Sequence, residues 1–314
     1  MIASGAAVIS RRKLVLGLAG AAGAAALSRA LAPGAPRQIA ARRALKLPIA
    51  PSGWPFPGAR VVAPSAVFPP DFGVRRIYLD AGHGAPGNTG NLSCFCVDEQ
   101  DFTLAAARAL AERLNATGRF EARVGRAGDR PLPYAERVED AARWGADAFV
   151  SLHSDVRGRI ETWSPGQGRQ CPLSLAAPGF AVLWSDEGDP ALCALRLALA
   201  RGFARRMEEA GLLPYDGAAY SGLYEPDTAQ PGVFLDRRPP GQRIFVLRRP
   251  SMPSILVETH HALDAREATR WTEPATLDAF AAAAAAALAD ALGGAGAPAS
   301  ALGGDGAPVS PPPT

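Results

Sequence analysis

Three short apolar runs in this 314-residue chain each end at an ionisable side chain. Residues 75–80 lead into Gly82-His83-Gly84, residues 148–152 are followed by His153, and residues 254–257 are followed by Glu258. Each run has the length and composition of a buried strand. Because the carboxyl ends of parallel strands meet at one edge of an α/β sheet, we expect the two histidines and the glutamate to lie close together.

Segments with helical periodicity alternate with these strands. Helices are predicted at 102–115, 134–144, 190–210 and 274–292, and strands at 75–80, 120–126, 148–153, 181–184, 243–247 and 254–258. This alternation predicts a single α/β domain with a mostly parallel six-stranded sheet, flanked by helices on both faces. The domain would span residues 74–292, which is long enough to bury a substantial core.

The ionisable residues form a set with a known chemistry. Two imidazoles and one carboxylate are typical ligands of a catalytic zinc ion, which keeps its fourth position for water. Glu99, at the start of the first predicted helix, supplies the carboxylate beside His83 and His153, and Glu258 supplies a second one that can take a proton from that water. The alternative is that these residues are structural. An acidic residue such as Glu99 is favoured at the start of a helix by the helix dipole, and a single histidine at the end of a strand is more often structural than a ligand.

Over residues 75–292 the chain resembles the zinc-dependent N-acetylmuramoyl-L-alanine amidases of the amidase-3 type. The family pattern is matched in order by His83, Glu99, Arg126, Asp129, Arg137, Ser151-Leu152-His153 and Glu258. The resemblance implies that His83, Glu99 and His153 bind Zn²⁺ and that Glu258 is the general base. It also implies the reaction, hydrolysis of the amide joining N-acetylmuramic acid to L-alanine in peptidoglycan, with no organic cofactor.

Two other functions stay open on sequence alone. One is a non-catalytic protein that binds peptidoglycan or regulates its turnover while keeping the amidase fold. The other is an amide hydrolase that acts on soluble muropeptides. The first is raised by His260 and His261, which depart from the family pattern after Glu258. In a regular strand His260 would point to the same side as Glu258, and it would then line the site or support it.

Three further residues of the pattern have structural interpretations. Arg126 and Asp129 are interpreted as an ion pair that stabilises a loop, and Arg137 as a helix residue bonded to nearby carbonyl groups.

The amino terminus predicts export. Ser10-Arg11-Arg12-Lys13 precedes an Ala/Gly/Leu stretch that is too short for a transmembrane helix, so residues 1–32 have the layout of a twin-arginine signal peptide. An ordinary secretory signal and an uncleaved anchor are the alternatives. We expect a periplasmic or cell-wall protein without a stable membrane span once the signal is removed.

The same segment carries four cations and no acid, so its removal takes the formal charge from +3 to −1. No basic tract with interleaved aromatic residues remains, and nucleic-acid binding is not predicted.

The flanks and two internal segments look irregular. Residues 33–73 are predicted as a Pro/Ala-rich linker or arm, and residues 293–314 as a disordered Gly/Ala/Pro tail. Residues 156–179 and 212–242 should border the site. In some amidases of the family that the chain resembles, an inserted segment covers the zinc until a protein activator displaces it, and either segment is a candidate for that role.

Four cysteines permit two disulfides in an exported chain. Cys94 and Cys96 are too close to bond to each other comfortably, so we expect one of them to bond to Cys171, with Cys193 as a buried helix residue. Metal binding by the Cys-x-Cys pair is the alternative.

Overall fold

Strands and helices alternate along the part of the chain that the computed structural model describes, residues 53–294 except 57, 129 and 221. The strands are β1 Arg75–Ala81, β2 Phe120–Val124, β3 Ala148–Asp155, β4 Glu161–Trp163, β5 Cys171–Leu173, β6 Ala181–Trp184, β7 Tyr224–Pro226, β8 Val233–Asp236 and β9 Ser254–His261. The helices are α1 Glu99–Ala116, α2 Tyr134–Trp144, α3 Pro190–Glu209, α4 Phe245–Arg248, α5 Ala265–Arg270 and α6 Pro274–Gly293.

Seven of these strands form the main sheet, in the order β2-β1-β3-β9-β6-β8-β7. The pairs β2–β1, β1–β3, β3–β9 and β6–β8 are parallel, whereas β9–β6 and β8–β7 are antiparallel. The mostly parallel α/β sheet is therefore confirmed, with seven strands where six were predicted. Strands β4 and β5 form a separate antiparallel hairpin.

One predicted strand is wrong. Residues 243–247 form a loop and the start of the short helix α4. Hydrogen bonds to neighbouring segments hold both ends of this stretch. The Ile244 amide donates to the Asp236 carboxylate at 2.7 Å, and the Leu247 carbonyl accepts from the Ser254 hydroxyl at 2.9 Å. A short apolar run has no periodicity long enough to separate these outcomes.

The two segments predicted as irregular contain strands. Residues 156–179 include the β4–β5 hairpin, and residues 212–242 include β7 and β8, the last two strands of the main sheet. Pro226 in β7 lies at the sheet edge, where a residue without an amide hydrogen is tolerated.

Helices cover both faces of the sheet, as predicted. The larger core lies on the face of α1, α3 and α6, and receives Ile255 and Val257 from β9. The smaller core lies on the face of α2 and α4 and receives Leu256. Consecutive side chains of β9 thus alternate between the two cores, as a strand buried on both faces requires.

The segment predicted as a linker or arm is described from residue 53, and there it packs on the domain. Trp54 and Phe72 are buried in the larger core. The Trp54 indole donates to the buried Glu267 carboxylate at 2.6 Å, and Arg270 donates to the Ala59 carbonyl at 2.9 Å. The predicted signal peptide and carboxyl-terminal tail lie outside the described residues, apart from residues 293 and 294.

One helix of the described chain is long and apolar enough to cross a membrane by length and composition. It is α6, with a mean hydropathy of 1.5 over its most apolar window. Of that window, 67% is buried inside the domain, as in the core helix of a folded domain.

A candidate metal centre at the carboxyl ends of the strands

His83, Glu99 and His153 come together where β1 and β3 end and α1 begins. One ligand atom from each lies within 4.8 Å of the others. His83 Nε2 is 3.0 Å from Glu99 Oε2, and His153 Nδ1 is 3.1 Å from both Glu99 Oε1 and His83 Nε2. The structure therefore brings together the three residues that the sequence predicts as metal ligands.

Two glycines make this approach of side chains sterically feasible. A Cβ atom on Gly82 would lie 2.5 Å from the His153 ring, and one on Gly90 would lie 2.6 Å from the Glu99 side chain. Gly90 also has a φ of +82°, which L side chains rarely adopt. The close packing of the three ligand side chains thus depends on the absence of side chains at these positions.

Two asparagines orient the cluster, and nothing in the sequence marked them except their place in a glycine-rich loop. Asn88 Oδ1 lies 2.9 Å from His83 Nδ1 and also accepts from the Gly90 amide, so Nδ1 carries the imidazole proton. The lone pair of His83 Nε2 is then free toward the cluster. Asn91 Nδ2 donates to Glu99 Oε2 at 2.7 Å, while the Ser154 amide donates to Glu99 Oε1 at 2.9 Å.

Contacts within the cluster favour the ionised form of Glu99. Burial alone would raise the pKa of Glu99, but hydrogen bonds from His153 and His83 outweigh it and hold that pKa well below its ordinary value. Burial likewise opposes protonation of His83, yet the Glu99 carboxylate and Asn88 raise the pKa of that imidazole. Two imidazole nitrogens and one ionised carboxylate fit a divalent transition-metal ion.

Glu258 stands next to this cluster. It pairs with His153 in the register of β3 and β9. Its Oε2 atom is buried and accepts no hydrogen bond from the described part of the chain. Burial and the negative charges of Asp155 and Glu99 raise the pKa of Glu258 well above its ordinary value, against the opposing charge of Arg157. A half-buried carboxyl group with a raised pKa is a candidate for proton transfer.

Comparison with known proteins assigns the chain to a family. The profile of the amidase-3 family, described as N-acetylmuramoyl-L-alanine amidase, matches residues 77–290. This chain belongs to the amidase-3 family.

A curated relative supports the assignment. The N-acetylmuramoyl-L-alanine amidase AmiA of Escherichia coli is 30% identical over 207 residues, which cover 60% of this chain and 65% of that protein. The match therefore spans just under two thirds of the relative's length.

Solved structures show the same fold at low sequence identity. The N-acetylmuramyl-L-alanine amidase Ami1 of Mycobacterium smegmatis is 21% identical with a TM-score of 0.52, over 70% of this chain and 97% of that one. An N-acetylmuramoyl-L-alanine amidase of Clostridium difficile 630 is 18% identical with a TM-score of 0.51, over the same shares of the two chains.

Regular strand alternation would place His260 on the same side of β9 as Glu258. In this amidase-3 domain it lies on the opposite side. His153 pairs with Glu258 and Asp155 pairs with His261, so β9 holds one extra residue in a bulge between these pairs. The bulge turns His260 onto the α1 face, where its ring stacks on Trp271 and meets Phe102 edge-on. His261 is buried as well, with Nδ1 3.3 Å from the Asp155 carbonyl oxygen.

Arg137 supports the loop that carries His83, in agreement with its predicted bonding to carbonyl groups. Its fully buried guanidinium pairs with Asp80 at 2.9 Å and donates to the carbonyls of Ala81, His83 and Leu132. Arg126 donates to the Gln100 carbonyl at 2.6 Å. Its predicted partner Asp129 lies outside the described residues.

A disulfide joins the loop before Glu99 to the β4–β5 hairpin. It links Cys96 to Cys171, which is one of the two predicted pairings. Cys94 and Cys193 are buried free thiols. The Trp163 indole of β4 also donates to the Cys94 carbonyl at 2.7 Å. The approach to Glu99 is thus held by a covalent and a hydrogen-bonded contact.

Proposed function

We propose that this chain is a zinc-dependent N-acetylmuramoyl-L-alanine amidase that hydrolyses the amide between N-acetylmuramic acid and L-alanine in peptidoglycan. The observation that carries the proposal is the convergence of His83, Glu99 and His153 beside Glu258, whose buried Oε2 accepts no hydrogen bond from the described residues. A site with three protein ligands and an adjacent base is the arrangement of hydrolytic zinc enzymes.

Each of the four side chains has a role in this proposal. His83, Glu99 and His153 hold the metal, and Asn88 and Asn91 fix the orientation of two of them. Zinc, when bound, would acidify a water molecule and polarise the scissile carbonyl. Glu258 accepts a proton from the attacking water and then delivers it to the departing L-alanine amine, and the burial that raises its pKa makes it a stronger proton acceptor.

The identity of the products tests the reaction. Purified protein is incubated with intact peptidoglycan and, separately, with soluble muropeptides, and the products are analysed by mass spectrometry with and without a chelator. We expect peptides that begin with a free L-alanine amine, lost on chelation and restored by Zn²⁺. Release from muropeptides alone would identify a hydrolase of soluble fragments. A folded, zinc-loaded protein that releases nothing from either substrate would contradict the proposal and favour a binding or regulatory role.

We also propose that residues 1–32 are a twin-arginine signal, that the chain is exported to the periplasm or cell wall, and that residues 74–292 are the catalytic domain. The Cys96–Cys171 disulfide supports export, because such bonds persist in oxidising compartments.

Replacement of Arg11 and Arg12 by lysine should leave the protein in the cytoplasmic fraction of the native host, whereas replacement of Lys13 by arginine should not. Export of the paired-lysine variant at the wild-type level would favour an ordinary secretory signal.

A further inference from the structure

A polar cluster built around the buried Arg157 side chain joins Tyr215 and Tyr220 to the end of β3. The Arg157 side chain is fully buried, and its Nε donates to the Asp155 carboxylate at 2.7 Å. The Tyr220 hydroxyl donates to the same carboxylate oxygen. The Arg157 guanidinium also lies 3.9 Å from the centre of the Tyr215 ring.

Stability alone does not account for this cluster. Taking an arginine and an aspartate out of water costs about as much free energy as their attraction returns, and apolar side chains of similar volume often serve a core as well or better. Arg157 needs two backbone carbonyl acceptors, those of Ala177 and Gly179, to satisfy its remaining donors. A group that is this costly to bury indicates a role in arranging its neighbours.

The neighbour that this cluster is placed to position is Glu258. Asp155 lies two residues beyond His153, which is the partner of Glu258 in the sheet, and its carbonyl accepts from the Ala262 amide at 2.8 Å. The charges of Asp155 and Arg157 also act on the Glu258 carboxyl group in opposite senses, since Asp155 raises its pKa and Arg157 lowers it. Because Glu258 Oε2 accepts no hydrogen bond of its own from the described residues, packing and charge around it must fix its position.

We propose that Tyr220 and Asp155 are positioning residues for Glu258. By donating a hydrogen bond to Asp155, the Tyr220 hydroxyl holds residues 215–220 against the ends of β3 and β9. Arg157 compensates the Asp155 charge within the same contact, and the Glu258 carboxylate is thereby kept in one place beside the metal ligands. The inference rests on the proposed function, since it assigns the cluster to the base of that reaction.

The test compares Tyr220→Phe with a matched control, Tyr78→Phe. Both substitutions remove one hydroxyl from a tyrosine–aspartate hydrogen bond, but the Tyr78 hydroxyl meets Asp140 of α2, on a different element from Glu258. On a soluble muropeptide, Tyr220→Phe should lower kcat about tenfold, with KM and bound zinc unchanged, because a slightly misplaced base slows only the chemical step. Tyr78→Phe should keep the wild-type kcat. Equal kcat in wild type and Tyr220→Phe, or a loss of zinc that explains the whole effect, would overturn the proposal.

A second readout does not depend on activity. In metal-free protein, hydrogen exchange of the Ala262 amide and of residues 215–224 should be about tenfold faster in Tyr220→Phe than in wild type, and unchanged in Tyr78→Phe. Unchanged exchange in both variants would refute the contact between the segment and the strand ends. If the wild type cleaves no substrate, the proposed function fails, whereas the exchange experiment still decides whether Tyr220 holds this end of the sheet.

Discussion

His153 of β3 and Glu258 of β9 stand opposite each other in a parallel strand pair. The proposed metal ligand and the proposed proton-transfer group are thus delivered by adjacent strands of one sheet, and their separation does not depend on a loop. Sites built on regular elements hold their geometry better than sites built on loops. The other two proposed ligands, His83 and Glu99, lie in the loop after β1 and in the first turn of α1, where hydrogen bonds with Asn88 and Asn91 and a nearby disulfide hold them in place.

Removal of the Asn91 side chain should weaken metal binding without removing a ligand. Asn91→Ala takes away a 2.7 Å hydrogen bond to Glu99, and partners of this kind typically contribute about 10–100-fold to metal affinity. Competition with a chromophoric chelator measures the effect. Asn115→Ala, which alters an amide bonded to the exposed backbone of Ala122, is the control and should bind zinc as the wild type does.

Loss of the disulfide should destabilise the domain. Cys96→Ser combined with Cys171→Ser opens a link between residues 75 positions apart, for which chain entropy predicts a loss of about 4 kcal/mol in the free energy of unfolding. Denaturant titration measures this loss. A reductant should lower the stability of the wild type to that of the double variant and leave the variant unchanged. A reductant effect of equal size on both proteins would contradict the assignment.

His260 should make stability depend on pH. Burial, with smaller contributions from His261 and Arg157, lowers the pKa of His260 to about 3. The unfolded chain, with an ordinary histidine pKa of about 6.5, therefore binds this proton first. Stability is complete above pH 6.5 and falls at about 1.4 kcal/mol per pH unit as the pH drops from there toward 3. His260→Phe keeps the aromatic packing and should remove this slope relative to wild type in chelated protein. Parallel curves for the two proteins would show that His260 is not buried in its neutral form.

The Asp80–Arg137 pair should be the costliest ion pair to break. Both side chains are fully buried, so Arg137→Met leaves the Asp80 carboxylate buried without its cation, at a cost of about 3 kcal/mol or more. Arg143→Met, which breaks exposed pairs with Glu139 and Asp140, should change the free energy of unfolding by less than about 1 kcal/mol. Similar losses in the two variants would argue against burial of the Arg137 charge.

The convergence of His83, His153 and Glu258 could be predicted because each lies at or near the end of a strand, and the polar ends of parallel strands share one edge of the sheet. The orientation of His260 could not be predicted, because a β-bulge is a shift of register between two strands and does not show in the sequence periodicity of either strand. The run at 243–247 was too short for its pattern to separate a strand from a helical turn. Contacts such as Tyr220 to Asp155 join residues 65 positions apart, and only the folded chain specifies them.

The measurement that tests the central claim most directly is bound zinc together with product release in Glu258→Gln and His153→Ala, beside the wild type. If His153 is a ligand and Glu258 the base, Glu258→Gln keeps about one zinc per chain and releases no L-alanine-terminated peptide, whereas His153→Ala loses both zinc and activity. Glu225→Gln, at an exposed position on the edge strand β7, should keep both. Wild-type release by Glu258→Gln, or full zinc occupancy in His153→Ala, would contradict the account.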